Sequence, residues 1–295
     1  MVLPPCASMP RPDISQKSGA RMNHVDTKVQ VSAAAGRETV TDGALMTMTV
    51  VGCGDAFGSG GRGHTCFFLQ DAESGALAVD FGASAMTGWS RLGLSTNVLD
   101  AVVISHLHGD HFGGLPFLLL ECQYVSQRKR PLLLAGPPGM RARLDALCEA
   151  MFAGMSRTQW LFPWEVIEIQ PGVAHKVAGF EIVSREVLHP SGAPSTCLRI
   201  NGANGSFAYS GDTSWVDSLY QAACGADLFV VECYSGERAI PYHIDWPVLK
   251  SNLPALNAAR IAVTHFGRTA FSHVQDMRDH GLIILEDGLK LDIAS

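Results

Sequence analysis

From Thr47 onward, short apolar runs alternate with polar breaks rich in Gly, Pro, Asn and Asp. Runs of this length, bounded by turn residues, read as buried strands. The pattern predicts strands over 47–52, 65–69, 77–81, 101–105, 132–135, 164–169, 180–188, 197–200, 206–210, 228–232, 260–264 and 288–293. Two longer stretches, 114–126 and 140–152, read as helices. Strands clustered in each half, with helices outside, imply two mixed sheets packed face to face between helical layers, an α/β fold of αββα type. Apolar runs such as Leu115-Pro116-Phe117-Leu118-Leu119-Leu120 fall far short of the roughly 20 residues that a bilayer crossing needs.

Residues 1–45 break the pattern. They are rich in Ser, Ala, Gly, Pro and charge, show no periodicity and contain no apolar core of a signal peptide. They read as a disordered extension, or equally as the product of a start placed too far upstream, since Met46 and Met48 stand just before the first strand. One folded domain is expected over 46–295.

The most informative chemistry lies directly after the apolar run Ala101-Val102-Val103-Ile104, where Ser105-His106-Leu107-His108-Gly109-Asp110-His111 puts three imidazoles and a carboxylate within six positions. At the mouth of a buried strand, His106 and His108 can point the same way, while Asp110 and His111 fall beyond the turn toward a second position. Neutral imidazole and carboxylate suit a borderline cation such as zinc, and a catalytic zinc keeps one coordination position open. Four ligands this close can serve two ions. Gly109, Gly113 and Gly114 are expected to remove bulk where the backbone bends and approaches the metals.

His106-x-His108-x-Asp110-His111 followed by Gly113-Gly114 resembles the signature of the metallo-β-lactamase superfamily, and the extended run through Leu115-Pro116 is closest to its ribonuclease Z and phosphodiesterase branch. Further motifs follow in order. The turn Val51-Gly52-Cys53-Gly54-Asp55 and the stretch Arg62-Gly63-His64-Thr65-Cys66 resemble the opening of that branch. His189 in Leu188-His189-Pro190 resembles the third histidine of the first metal, Asp212 in Ser210-Gly211-Asp212 the carboxylate bridging both ions, and His265 in Thr264-His265-Phe266 the last histidine of the second metal. The resemblance implies a metallo-β-lactamase-like sandwich with two zinc ions per chain, manganese or iron being substitutes. It assigns His106, His108 and His189 to one ion, Asp110, His111 and His265 to the other, with Asp110 also counted as catalytic.

The branch also places a histidine that is not a ligand near His243, eleven positions after Glu232 at a strand end. Where the branch carries Gly-His-Ser-Thr, this chain has Tyr242-His243-Ile244-Asp245. An imidazole titrating near neutrality can hand a proton to a departing oxygen, so His243 is the candidate general acid. His64, at a position where the branch tends to have Asn, is a candidate for orienting a ligand.

Two divalent ions, two aspartates and a bridging hydroxide leave the site near one net positive charge, which favours an anionic ester attacked by metal-activated water. Small phosphodiesters fit best, cyclic nucleotides among them. The alternatives are arylsulfatase-like or lactonase-like hydrolysis, ribonuclease Z-like RNA processing and, from another class, a metal-binding sensor without turnover. Ribonuclease Z proteins resemble one another in a long arm between the third histidine and the bridging aspartate, but only 22 residues lie between His189 and Asp212 here. A formal net charge of −6 also argues against an extended nucleic-acid surface. The one basic run, Arg128-Lys129-Arg130, reads as a solvated helix end. The expected partner is therefore a small anionic ester, with no membrane contact and a homodimer left open. Eight scattered cysteines without a Cys-x-x-Cys pair fit buried thiols in a reducing cytoplasm.

Overall fold

The computed structural model describes residues 45–294, so the expectation for the first 44 lies outside the described residues. The first half supplies β1 (Thr47–Gly52), β2 (Cys66–Asp71), β3 (Gly75–Val79), β4 (Ala101–Val103), β5 (Leu132–Gly136) and β6 (Trp164–Glu168). Its helices are α1 (Ala85–Arg91), α2 (Gly109–Phe112), α3 (Leu115–Tyr124) and α4 (Met140–Met151). The second half supplies β7 (Ala174–Val177), β8 (Phe180–Glu186), β9 (Thr196–Asn201), β10 (Ser206–Tyr209), β11 (Ala226–Glu232), β12 (Ala258–Thr264) and β13 (Ile283–Ile284). Between them lie α5 (Ser218–Ala223), α6 (Trp246–Asn252) and α7 (Val274–Asp279), and β14 (Lys290–Asp292) closes the described chain.

The strands form two seven-stranded sheets in the orders β14-β1-β2-β3-β4-β5-β6 and β13-β12-β11-β10-β9-β8-β7. Both are mixed. β3 to β6 run parallel, as do β10 to β13, while the remaining pairings are antiparallel. β14 returns from the second half to pair with β1, which ties the two sheets together through the chain.

Side-chain alternation decides which layer each residue joins. In β2, Phe67 and Leu69 face the other sheet, where Phe207 and Tyr209 of β10 meet them. Cys66 and Phe68 face outward onto Trp89 of α1, whose ring lies 4.8 Å from that of Phe68. The same split puts Leu228 and Val230 of β11 between the sheets, and Phe229 and Val231 under α5, α6 and α7. Apolar on both faces, these strands read as continuous runs because both faces are covered. The result is the expected αββα sandwich. No helix among the described residues is long and apolar enough to cross a membrane.

Two strands escape the apolar pattern for physical reasons. β7, Ala-His-Lys-Val, is a largely exposed hairpin partner of β8, and β13 is two residues long.

The basic run at 128–130 is not a solvated helix end. Arg128 is buried, and its guanidinium donates to the carbonyls of Thr96, Leu99, Arg130 and Pro131, fastening the loop before β4 to the start of β5. Arg130 pairs with Asp100. Leaving buried carbonyls without donors is expensive. Arg128→Ala should therefore lower stability by about 3 kcal/mol in denaturant unfolding, and an effect within error would show that the clamp is dispensable.

Candidate metal centre

The functional side chains gather where strand ends of both sheets meet. β4 ends at Val103, and the chain bends at Ser105 before reaching His108, which has extended backbone; His106 and His108 come together in one donor group, while Leu107 between them is buried against the helical layer. His108 caps α2, whose single turn then turns Asp110 and His111 toward a second position. His189 follows β8, Asp212 follows β10, and His265 follows β12. His265 has φ +59°, an αL conformation that a non-glycine residue holds only under strain, and its N–H donates to Cys53 O at 3.0 Å.

Of the glycines expected to make room, Gly114 does so: a Cβ there would stand 2.3 Å from Gly82 O. Gly109 does not. A Cβ there meets nothing within 4 Å, so its role cannot be close approach.

Four overlapping groups of donors result among the described residues, two made of the expected ligands and two that bring in His243, beside His189 and Asp212 and beside Glu232 and His265. The ligand-capable atoms of His106, His108 and His189 lie within 4.8 Å of one another, as do those of Asp110, His111, Asp212 and His265. Asp212 stands between them. Its Oδ2 lies 3.3 Å from Nε2 of both His111 and His265, 3.8 Å from Nε2 of His106 and 3.9 Å from Nε2 of His189. Asp110 Oδ2 lies 3.3 Å from Nε2 of His111 and of His265.

The two groups of expected ligands differ electrostatically. Burial and the neighbouring imidazoles push His106 well below its ordinary pKa, and burial likewise lowers His108 and His189, which favours the neutral rings that a metal ion accepts; Nε2 of His189 lies 2.9 Å from Nδ1 of His108. His111 and His265 go the other way. Burial opposes their charged forms, but Asp212 and Asp110 outweigh it, holding His111 well above its usual value and His265 at about 9. Asp110 and Asp212 are themselves held low despite burial, chiefly by His111 and, for Asp212, by His265 as well.

The donor set fits metal ions. Nε2 of His106 and of His111 and Oδ1 of Asp212 are buried without a hydrogen-bond partner, and buried polar atoms are costly unless something satisfies them. The carboxylates that draw protons onto His111 and His265 would equally stabilise a cation. Imidazole and carboxylate are the donors zinc accepts.

Around this cluster lies a set of supports. Asp80, fully buried at the end of β3 with φ +56°, receives Nδ1 of His111 at 2.6 Å and the N–H and hydroxyl of Ser105 at 2.7 and 2.8 Å. Tyr242 O, 2.9 Å from Nδ1 of His189, accepts from that ring. Such partners fix a ring's tautomer and orientation. Neither was anticipated from the sequence, although a lone carboxylate ending the run Leu77-Ala78-Val79 is a usable signal for Asp80. His64 does not orient a ligand through Nδ1, which instead accepts from Ser84 N–H at 3.3 Å.

His243 sits against both groups. Its ring centroid is 4.9 Å from that of His189 and 5.6 Å from that of His265, with the latter pair stacked at 12°. Its Nδ1 faces Glu232 Oε1 at 3.0 Å. Glu232 is fully buried, which pushes its pKa up, and it also accepts Thr213 N–H at 2.7 Å. Burial disfavours the His243 imidazolium, but Glu232 more than compensates and raises its pKa. Tyr234 also stacks on His243, with ring centroids 4.7 Å apart, and its ring lies 6.1 Å from that of His265.

Residues 46–286 match the protein family described as anti-Pycsar protein Apyc1. The chain belongs to this family. The chain is also similar to ribonuclease Z proteins and to solved structures of the metallo-β-lactamase fold. It is 30% identical over 187 residues to the uncharacterized protein Rv1339 of Mycobacterium tuberculosis, a match covering 63% of this chain and 66% of that one. A ribonuclease Z of Mycobacterium bovis is 28% identical over 195 residues, covering 63% and 69% of the two chains. Among solved structures, the short form of human tRNase Z superposes with a TM-score of 0.68 at 23% identity over 84% of this chain and all of that one. The Bacillus subtilis metallo-β-lactamase fold protein YhfI superposes at 0.67, with 20% identity over 83% and 99%. These likenesses agree on the sandwich fold.

Proposed function

We propose that the protein is a dinuclear zinc hydrolase of small phosphodiesters, cyclic nucleotides among them. The observation that carries this reading is the position of Asp212, whose single Oδ2 lies within 3.3–3.9 Å of four imidazole nitrogens drawn from both donor groups. His106, His108 and His189 would hold one ion, Asp110, His111 and His265 the other, and Asp212 both. Ions so held would lower the pKa of bound water toward about 7 and offset charge on the ester oxygens.

The chain's own groups do the rest. Asp80 and the Tyr242 carbonyl keep His111 and His189 oriented. His243, with Nδ1 committed to Glu232, presents Nε2 as the donor for the departing oxygen. Three features favour a small ester over folded RNA. The 22 residues between His189 and Asp212 are taken up largely by β9, a tight turn and β10, which leaves no room for a gripping arm. The chain carries a net charge of −6. Arg128, one of the three cations of the basic run at 128–130, is spent on backbone carbonyls inside the fold.

Purified protein should contain about two transition-metal ions per chain by elemental analysis. It should turn over bis(p-nitrophenyl) phosphate in preference to an aryl sulfate or a lactone. Metal content near zero after supplementation would overturn the site assignment, and preference for the sulfate or the lactone would overturn the substrate class.

A further inference from the structure

A cavity of about 320 Å³ opens beside the cluster and meets it at Tyr234. Its lining includes Phe57, Tyr234, Arg238, Ile240, Arg268 and Thr269. Tyr234 joins it to the centre, because this ring stacks on His243 and lies 6.1 Å from His265. Resting on the proposed phosphodiesterase reading, we propose that this cavity is the recognition subsite for the nucleoside part of the ester, with Phe57 the stacking surface for its base and Arg238 and Arg268 the donors to its acceptor atoms.

The wall that carries Phe57 is built to hold it in place. Phe57 is 78% exposed, an unfavourable position for a large apolar ring without a partner. Yet the turn beneath it is tightly fixed. Asp55 is buried and accepts from Phe57 N–H at 3.2 Å, Ser59 N–H at 2.8 Å and the Ser59 hydroxyl at 2.7 Å. On its far side, the Arg62 guanidinium packs over the rings of Phe266 and Phe271 at 5.2 and 4.9 Å. A flat ring on a pinned turn is pre-organised to meet another flat ring, since ordering it costs little on binding.

The chemistry of the remaining lining points the same way. Neither the Arg238 nor the Arg268 guanidinium forms a salt bridge among the described residues, so their donors remain available to a ligand. Guanidinium only donates, and planar bases carry paired acceptors that suit it. The volume sits at the low end of the range for small-molecule pockets and matches a nucleoside rather than a polymer. A cyclic or linear nucleotide could then lay its phosphate on the cluster and its base across Tyr234 into the cavity.

The test compares Phe57→Ala, Phe57→Tyr and Arg268→Ala with the parent protein. Binding of a nucleoside monophosphate and of inorganic phosphate is measured by calorimetry. Kinetics are measured on a cyclic nucleotide and on methyl p-nitrophenyl phosphate. Loss of one stacking surface should weaken nucleoside monophosphate binding by about 5–150-fold and raise KM for the cyclic nucleotide, with kcat much less affected. Phe57→Tyr should restore most of the affinity. Because Phe57 is exposed, its substitution tests recognition without unfolding the protein, which a melting curve verifies. Equal losses for nucleoside monophosphate and inorganic phosphate would mean that the cavity binds only anions and would overturn the proposal. Unchanged nucleoside monophosphate binding in Phe57→Ala would overturn it too. If the parent binds nucleoside monophosphate through Phe57 yet hydrolyses no phosphodiester, the subsite stands and the proposed reaction falls.

Discussion

Asp212→Asn should remove metal from both halves of the centre at once and cut kcat/KM by about 10⁴-fold, the size of loss seen when one member of an interdependent catalytic unit is removed. The substitution keeps the shape of the side chain and removes its charge. In the parent protein, that charge sits at one oxygen facing His106, His189, His111 and His265, and the histidines keep the carboxylate ionised against the cost of burial. Neutralising it takes the shared anion from both donor groups together. His106→Ala, by contrast, should lower metal content by about one ion, because it takes a donor from one group only. Elemental analysis of the two variants, with melting curves to verify folding, separates the cases. If Asp212→Asn retained two ions per chain, Asp212 would not be the link between the halves.

The quartet His106, His108, Asp110 and His111 was legible because its geometry is local. An extended step followed by one helical turn fixes where the four side chains point, and both are set by residues within the motif. His189, Asp212 and His265 needed a resemblance to a known family, since no local pattern says that the ends of β8, β10 and β12 converge. Supports were harder still. Asp80 and the Tyr242 carbonyl act through contacts 31 and 53 residues away in the chain, and a buried carboxylate and a backbone oxygen look ordinary in sequence. Arg128 was misread for a related reason. A basic run resembles a solvated surface until the carbonyls that accept from its first member are known, and those lie 29 and 32 residues upstream as well as next to it. The sandwich itself was legible because continuous apolar runs demand cover on both faces, whereas the exposed hairpin strand β7 carries no such run.

His243→Ala should leave metal content unchanged and slow the hydrolysis of esters with poor alkoxide leaving groups by roughly 10²–10⁴-fold, the usual reach of general acid catalysis. The argument rests on how its two nitrogens are divided. Nδ1 is held by Glu232, a carboxylate buried in the fold and anchored by Thr213 N–H, so Nε2 is the nitrogen left to donate. Glu232 also favours the protonated ring, which is the form an acid needs at the start of the reaction. A p-nitrophenolate departs readily without a proton, so activated esters should suffer far less from the loss of His243. Glu232→Gln should shift the same balance more weakly, since the ring remains but loses the charge that holds its proton. Asp110→Ala should instead damage both substrate types, because Asp110 faces His111 and His265 and belongs to one donor group outright. Kinetics on a matched pair, an alkyl and a p-nitrophenyl diester, measure the difference directly. Equal losses on both, with two ions still bound in His243→Ala, would show that His243 positions the substrate and does not supply the proton.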